Sequence, residues 1–376
     1  MRKIVFITGT RADYGKIKSL IKILSPYFEY HIFVCGMHLL KEYGETFLEI
    51  KKDGFENIFL ANSHQDSLPM DISLSKTIEG FSQFIAKIKP DLIIVHGDRL
   101  EALAGAIVGA FNNIMVAHIE GGEVSGTIDE SIRHSISKLA HIHFTANQEA
   151  SKRLVQLGEN PDFIFEIGSP DIDIMLDENL PTLQEVAKYY QISFLDQPTP
   201  KPYSIGIYHP VTTEIQHLKH HIKAYLDALI QSQRNYILIY PNNDLGSKII
   251  LSAFKELSGY SNFAIYPSIR FEKFLTLLKY ADFIIGNSSA GIREAPIYGV
   301  PTIDIGSRQN NRSKAPSILH CQNNTDEILT CINQIQQIKK KSFFNFGKGQ
   351  AAQAFLKVLQ DSKIWQLDIQ KKFNDL

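Results

Sequence analysis

The 376-residue chain sets 39 Lys and Arg against 40 Asp and Glu, a formal net charge of −1, with 44% hydrophobic and 21% charged residues. That balance is ordinary for a globular protein, gives no electrostatic reason to expect nucleic acid or an anionic membrane as partner, and at this length suits two domains better than one. Three cysteines (Cys35, Cys321, Cys331) without a C-x-x-C pair argue against a disulfide framework or zinc site, the first apolar run is too short for a signal peptide, and no 18-residue apolar run occurs, so a soluble cytoplasmic protein is expected.

Apolar runs alternate with helical patterns throughout, which predicts an α/β protein with parallel sheets. In the first half strands are expected near 3–8, 30–35, 57–60, 91–96, 114–119, 142–145 and 163–166, with helices near 14–25, 39–53, 72–88, 99–111, 129–139 and 147–157. The stretch 181–202, with Pro198, Pro200 and Pro202, reads as a linker. Beyond it strands are expected near 203–208, 235–240, 263–266, 282–286 and 301–305, and helices near 214–230, 247–256, 270–279 and 289–295. A final helical region (325–339, 349–359, 362–372) lacks partner strands. The expected domains are 1–180, 200–350, and a terminal helix at 351–376 packing back on the first. Two doubly wound domains facing across a cleft are the natural reading.

The chemistry-bearing loops follow strands. DLIIV (91–95) ends at His96-Gly97-Asp98-Arg99, and IMVAHI (114–119) ends at Glu120-Gly121-Gly122-Glu123. Both runs are continuously apolar, as parallel strands covered on both faces are. Ligands of open parallel sheets bind beyond the carboxyl ends of strands, so Asp98 and Glu120 are expected to converge. Asp129, Glu130, Arg133 and His134 follow on a helix. Thr127 and Glu130 match a capping box, and Arg133 stands one turn from Asp129, where a surface pair would form. Glu123 sits beside a glycine turn where the backbone approaches a ligand closely.

The first loop, Gly9-Thr10-Arg11-Ala12-Asp13-Tyr14-Gly15-Lys16, is neither G-x-G-x-x-G nor the Walker pattern, since its glycine spacing is one too long and Ile17 replaces the Ser or Thr. A strand-to-helix turn still offers backbone N–H groups and a helix dipole to a phosphate, with Arg11 supplying a fork, and a phosphate contact is the expectation; the alternative is that Arg11 pairs with Asp13 and caps the helix. In the second half ADFIIG runs into Asn287-Ser288-Ser289-Ala290-Gly291 and a short helix ended by Pro296. Its serines can bind a diphosphate or cap the helix, and Glu294 can bind ribose hydroxyls or face the dipole. His209 in YHPVTTE and Asn242 in YPNND also follow strands, and Arg308 follows the last one.

In this order GTRADYG, GMH, HGDRLEALAGA, HIEGGEVSGTIDESIRHSISKLAH, GSPD, HPVTTE, PNND, GNSSAGIREAP and GSRQNNR resemble the UDP-N-acetylglucosamine 2-epimerases, over roughly residues 3–315. The long HIEGGEVSGTIDESIRH segment is similar to the hydrolysing branch of sialic acid biosynthesis. The resemblance implies a GT-B-like fold of two Rossmann-like domains, and metal-free, cofactor-free conversion of UDP-GlcNAc and water to N-acetylmannosamine and UDP. It also implies catalytic roles for Asp98, Glu120 and Asp129, with His209 beside the leaving diphosphate. Arg11, Lys16, Arg99, His209, Asn242, Ser288, Ser289, Glu294 and Arg308 are the implied UDP-sugar contacts. The expected partners are the UDP-sugar and UDP, with a homodimer or homotetramer as the assembly. A sister branch acting on UDP-2,4-diacetamido-2,4,6-trideoxyglucose, for legionaminic acid, shares most of these motifs; GNSSAGIREAP favours the GlcNAc substrate.

Inverting C2 while expelling UDP from C1 is an elimination followed by hydration of a glycal, so acid–base groups are needed on both faces of the sugar. Neighbouring buried carboxylates have the spread of proton affinities this requires, and Arg11, His209 and the serine loop would stabilise departing UDP. The rivals are a GT-B glycosyltransferase, a non-hydrolysing epimerase and a non-catalytic nucleotide-sugar sensor.

Overall fold

The structure, a computed structural model, describes the chain apart from residues 62–67, 126, 178, 311, 314, 373, 375 and 376. It divides into two units: Met1–Val124, Ile128–Leu176 and Phe346–Leu376 form the first, and Ser125–Thr127 with Asp177–Asn345 the second.

The first unit contains strands β1 (Lys3–Thr8), β2 (Glu29–Val34), β3 (Ile58–Leu60), β4 (Leu92–His96), β5 (Met115–Ile119), β6 (Ile142–Thr145) and β7 (Ile164–Glu166). Its helices are α1 (Arg11–Leu24), α2 (Phe47–Lys52), α3 (Met70–Ile88), α4 (Leu100–Phe111), α5 (Ile128–Leu139), α6 (Gln148–Gln156) and α7 (Pro170–Met175). The strands pair in parallel in the order β3-β2-β1-β4-β5-β6-β7. Alternate residues of each central strand feed two separate cores. Ile4, Phe6, Leu92 and Ile94 face one core with α1; Val5, Ile7, Ile93 and Val95 face the other with α3 and α4. This double covering is why β4 and β5 read as unbroken apolar runs. Gly105 and Gly109 let α4 lie close to the sheet: a methyl on Gly109 would sit 2.3 Å from Val116 Cγ2.

The second unit contains α8 (Leu183–Tyr190), β8 (Tyr203–Ile207), α9 (Leu218–Gln231), β9 (Asn235–Ile239), α10 (Ser247–Phe254), β10 (Phe263–Tyr266), α11 (Phe271–Tyr280), β11 (Ile284–Gly286), β12 (Thr302–Ile305), β13 (Ile318–Cys321) and α12 (Thr325–Gln334). Its sheet is again parallel, in the order β10-β9-β8-β11-β12-β13. After it, α13 (Ala351–Gln360) belongs to the first unit, where Phe355 meets Phe144 edge-on at 4.9 Å between ring centroids.

Each sheet reverses its strand order once, between β1 and β4 in the first unit and between β8 and β11 in the second. Neighbouring crossovers leave such a point in opposite directions, opening a crevice at the carboxyl ends of its strands. The loops after β1, β4, β8 and β11 therefore line the two places where this architecture receives ligands.

Several elements differ from expectation. The helix expected at 39–53 is two 3₁₀ turns, Gly36–Leu39 and Lys41–Tyr43, followed by α2, because Gly44 and Glu45 turn left-handed (φ 87° and 47°) and break it. The helix expected at 289–295 is instead a pair of 3₁₀ turns, Ser289–Gly291 and Ala295–Tyr298, with Pro296 unable to carry a longer ladder. Around 362–372 only the 3₁₀ turn Ser362–Gln366 forms among the described residues. Strand β13 and helix α7 were not anticipated. The three cysteines are free and buried. Among the described residues no helix is long and apolar enough to cross a membrane.

Candidate active site

The expected site residues fall into two groups, one in each unit. In the first unit β4 and β5 pair side by side, His96 opposite Ile119, so Asp98 and Glu120 leave adjacent strands at the same end. Arg133, on α5, joins them. Its Nη2 pairs with the Asp98 carboxylate, while Nη1 donates to the Glu120 carbonyl at 2.6 Å and lies 4.0 Å from Glu123 Oε2. Arg133 is buried, not on the helix surface where its spacing from Asp129 placed it. A planar guanidinium presents separate nitrogens to the two oxygens in a fixed fork, a geometry that the single nitrogen of an ammonium does not reproduce.

Glu120 is itself unusual: it is buried, and its backbone is left-handed at φ 64°. A non-glycine residue there carries about 1–3 kcal/mol of strain, tolerated where surrounding contacts fix it. Ser169, just before α7, donates its hydroxyl to Glu120 Oε1, and His96 Nε2 lies 3.2 Å from Oε2. His96 Nδ1 is 2.8 Å from Asp13 Oδ1. Burial works against a charge on His96, but Glu120 and Asp13 outweigh it and raise the imidazole to about 9.

The neighbouring His118 goes the other way. Its Nε2 is 2.8 Å from the Gly97 carbonyl, which only accepts, so Nε2 carries the proton and Nδ1 accepts from Ser137 Oγ at 3.0 Å. Burial holds this ring neutral, down at about 3. The glycine pair after Glu120 serves the protein: a methyl on Gly121 would lie 2.8 Å from His118 Nδ1, and one on Gly122 2.2 Å from the Ala150 carbonyl oxygen. Buried Glu123 follows them, and Asp129 sits half-buried in the first turn of α5.

The first-unit cations expected to meet phosphate have acidic partners. Arg11 pairs with Glu49, buried Lys16 with Asp171 at 3.0 Å, and Arg99 Nε lies 3.6 Å from Glu101. Helix α1 begins at Arg11, capped by the Thr10 hydroxyl on the Asp13 N–H, while Asp13 Oδ2 accepts from Gly9 N at 3.2 Å. Two backbone donors of the loop are thus engaged within it.

In the second unit Asn287, buried at the end of β11, binds His209 from both sides. Its Oδ1 accepts from the His209 N–H at 2.6 Å and its Nδ2 donates to the His209 carbonyl at 2.9 Å. The Asn242 N–H donates to His209 Nδ1 at 3.0 Å, which puts the ring proton on Nε2. Arg308 Nη1 and Gln309 Nε2 both donate to the Asn287 carbonyl, at 3.2 and 2.9 Å. Ser288 Oγ accepts from Ala290 N at 3.3 Å, and Ser288 and Ser289 remain half-buried above the turn. Glu294 is buried. Gly286 makes the entry possible: at φ 134° a methyl would sit 2.0 Å from the Ile207 carbonyl oxygen.

The structure thus gathers Asp98 and Glu120 around the Arg133 guanidinium, and His209, Asn242 and Arg308 around Asn287. Sequence reasoning overlooked His96, Ser169, Asn287 and the buried role of Arg133. His96 had a signal, since it is the last residue of a strand beside Asp98; Arg133 had none, because its partner is 35 residues away.

The model of the family described as UDP-N-acetylglucosamine 2-epimerase matches residues 24–360. Over 384 aligned residues, covering all of both chains, the chain is 46% identical to a UDP-N-acetylglucosamine 2-epimerase of Neisseria meningitidis. It is 32% identical to a UDP-N,N'-diacetylbacillosamine 2-epimerase (hydrolyzing) of Legionella pneumophila, over 96% of each chain. In fold it is similar to the Methanocaldococcus jannaschii UDP-GlcNAc 2-epimerase solved with UDP-GlcNAc and UDP: TM-score 0.80 at 20% identity, over 95% of this chain and 99% of that one. Two parallel-sheet α/β units of GT-B-like kind are therefore its architecture.

Proposed function

The chain belongs to the UDP-N-acetylglucosamine 2-epimerase family, and from that premise we propose that it is a hydrolysing member, converting UDP-GlcNAc and water to N-acetylmannosamine and UDP for sialic acid biosynthesis. The observation that carries the reading is the bridge from Arg133 to Asp98 and to the Glu120 carbonyl, which sets two carboxylate-bearing residues at one end of adjacent strands.

In this reading Glu120 takes the C2 proton as the C1–O bond to UDP breaks, leaving a glycal. A proton returns to C2 on the opposite face and water adds at C1, with Asp98 and Asp129 as the remaining acid–base groups. Positioned acid–base groups of this kind contribute about 10²–10⁴-fold each. The second unit supplies the grip on UDP: the Nε2–H of His209, the hydroxyls of Ser288 and Ser289, and the Arg308 guanidinium are donors suited to a diphosphate, with Asn242 bracing the ring and Glu294 suited to ribose hydroxyls. Arg11, Lys16 and Arg99 are the remaining cations this reading assigns to the UDP-sugar.

A second reading, hydrolysis of the UDP-diacetamido-trideoxy sugar, draws support from the 32% identity to the Legionella enzyme; the higher identity to the Neisseria enzyme favours UDP-GlcNAc. Proton NMR with each sugar alone, in ¹⁸O-labelled water, tests both. The expected outcome is UDP release from UDP-GlcNAc without acceptor, free N-acetylmannosamine, and label at its C1. A need for an acceptor, or UDP-ManNAc as the stable product, overturns it.

A further inference from the structure

Resting on that reading, we propose that His96 is a positioning residue for Glu120: clamped between Asp13 on α1 and Glu120 beyond β5, its ring holds the Glu120 carboxylate ionised and aimed as the base. The geometry carries this. Nδ1 is hydrogen-bonded to Asp13 Oδ1 at 2.8 Å, and Nε2 lies within ion-pair reach of Glu120 Oε2 at 3.2 Å without the alignment of a hydrogen bond, so each ring nitrogen has a carboxylate oxygen beside it. A neutral imidazole has one N–H and would aim a lone pair at the other carboxylate. Two protons resolve the conflict, making the ring a cation between two anions. Both carboxylates are tied behind it as well, Asp13 Oδ2 to Gly9 N and Glu120 Oε1 to the Ser169 hydroxyl.

The charged groups on the surrounding elements leave this arrangement intact. On β5, His118 is held neutral by burial, and beside Asp13 so is His38, at about 4. On α5, Arg133 is engaged by Asp98 and the Glu120 carbonyl; on α1 and α7, Lys16 and Asp171 pair with each other, and Arg11 pairs with Glu49. The elevation of His96 to about 9, Glu120 and Asp13 prevailing over burial, agrees with the clamp. During turnover Glu120 accepts the C2 proton and becomes neutral, while His96 keeps both of its own protons against Asp13. No proton passes through the ring. The clamp costs Glu120 some basicity and ensures that it starts each cycle as a carboxylate.

The test combines ¹⁵N NMR of the imidazoles in the full-length protein with pH profiles of kcat/KM for wild type, His96→Gln and Asp13→Asn. In wild type at pH 7 the His96 ring is expected to be doubly protonated, and in Asp13→Asn to lose its second proton at lower pH. Removing a cation beside a carboxylate raises that carboxylate, so the acid limb of kcat/KM is expected to move up by about one pH unit or more in His96→Gln, and by less in Asp13→Asn. UDP affinity is expected to change less than about twofold, because the clamp touches no group assigned to UDP. A singly protonated ring at pH 7 with turnover intact overturns the clamp alone. A kcat that falls equally at every pH, with the acid limb unmoved in both variants, reduces His96 to a structural residue and also overturns it. Absence of UDP release from either sugar overturns the assigned reaction, and the base role of Glu120 with it, whatever the charge on the ring.

Discussion

Arg133 grips Glu120 by its peptide carbonyl, Nη1 to oxygen at 2.6 Å, while its other terminal nitrogen holds Asp98. One buried cation thereby fixes a left-handed backbone and orients a carboxylate on the neighbouring strand. Arg133→Lys keeps the charge but cannot reach both oxygens. It is expected to lower kcat by about 10²-fold through misplacement of reacting groups, with UDP affinity nearly unchanged. Arg133→Met leaves Asp98 without this partner and is expected to cost about 3 kcal/mol of stability. Steady-state kinetics and thermal unfolding of the two variants check this; equal kinetics for Lys and Arg at this position would remove the bridge from the argument.

Asp98→Asn, Glu120→Gln and Asp129→Asn keep side-chain size and remove acid–base capacity. Each is expected to reduce turnover by about 10²–10⁴-fold while binding UDP as wild type does in calorimetry. A variant that retains turnover within tenfold assigns its residue to structure.

Asn287 closes both hydrogen-bonding groups of the His209 backbone. Asn287→Ala leaves buried donors and acceptors unsatisfied, at a cost of about 1–3 kcal/mol, and frees the loop after β8. UDP binding is expected to weaken by about tenfold or more, tracking His209→Ala in the same titration. Normal UDP affinity in Asn287→Ala would mean that the His209 loop is not part of the nucleotide grip.

Two histidines on adjacent strands set opposite pH slopes. His118 is held by burial at about 3 against an ordinary 6.5, so unfolding takes up a proton there and stability falls as pH drops from about 6.5 towards 3. His96 is held at about 9 by Glu120 and Asp13 against burial, so its contribution is complete below about 6.5 and is lost as pH rises through 9. Melting temperatures measured from pH 4 to 9 are expected to show the acid slope flattened in His118→Asn and the alkaline slope flattened in His96→Gln. Unchanged slopes in both would reject this origin for the pH dependence.

Strands β4 and β5 are legible directly, because burial on both faces leaves an unbroken apolar run, and the strand-end rule alone points to Asp98 and Glu120. The run ILHC of β13 was missed because His320, paired with Asp304 at 2.9 Å, interrupts the apolar pattern. The helix expected over 289–295 shows the reverse error: composition allows it, but Pro296 has no N–H to carry a longer ladder, and the segment forms two 3₁₀ turns. The partners of the acidic groups were harder still. Arg133 and Asp129 share a helix at a spacing that suggests a pair, and only the approach of α5 to β4 and β5 turns the guanidinium inward. Long-range geometry of that kind leaves no local trace.

Helix α13 and the residues after it complete the first unit, with Phe355 and Leu359 in its core and the Lys371 ammonium on the Ser137, Lys138 and Ala140 carbonyls at the end of α5. On the ribosome, all of the second unit therefore emerges before the first can close. Until then the sheet face that α1 covers in part still lacks Phe355 and Leu359, a state in which chains associate wrongly, and the helix bearing Arg133 is tied down at its far end only once Lys371 has been made.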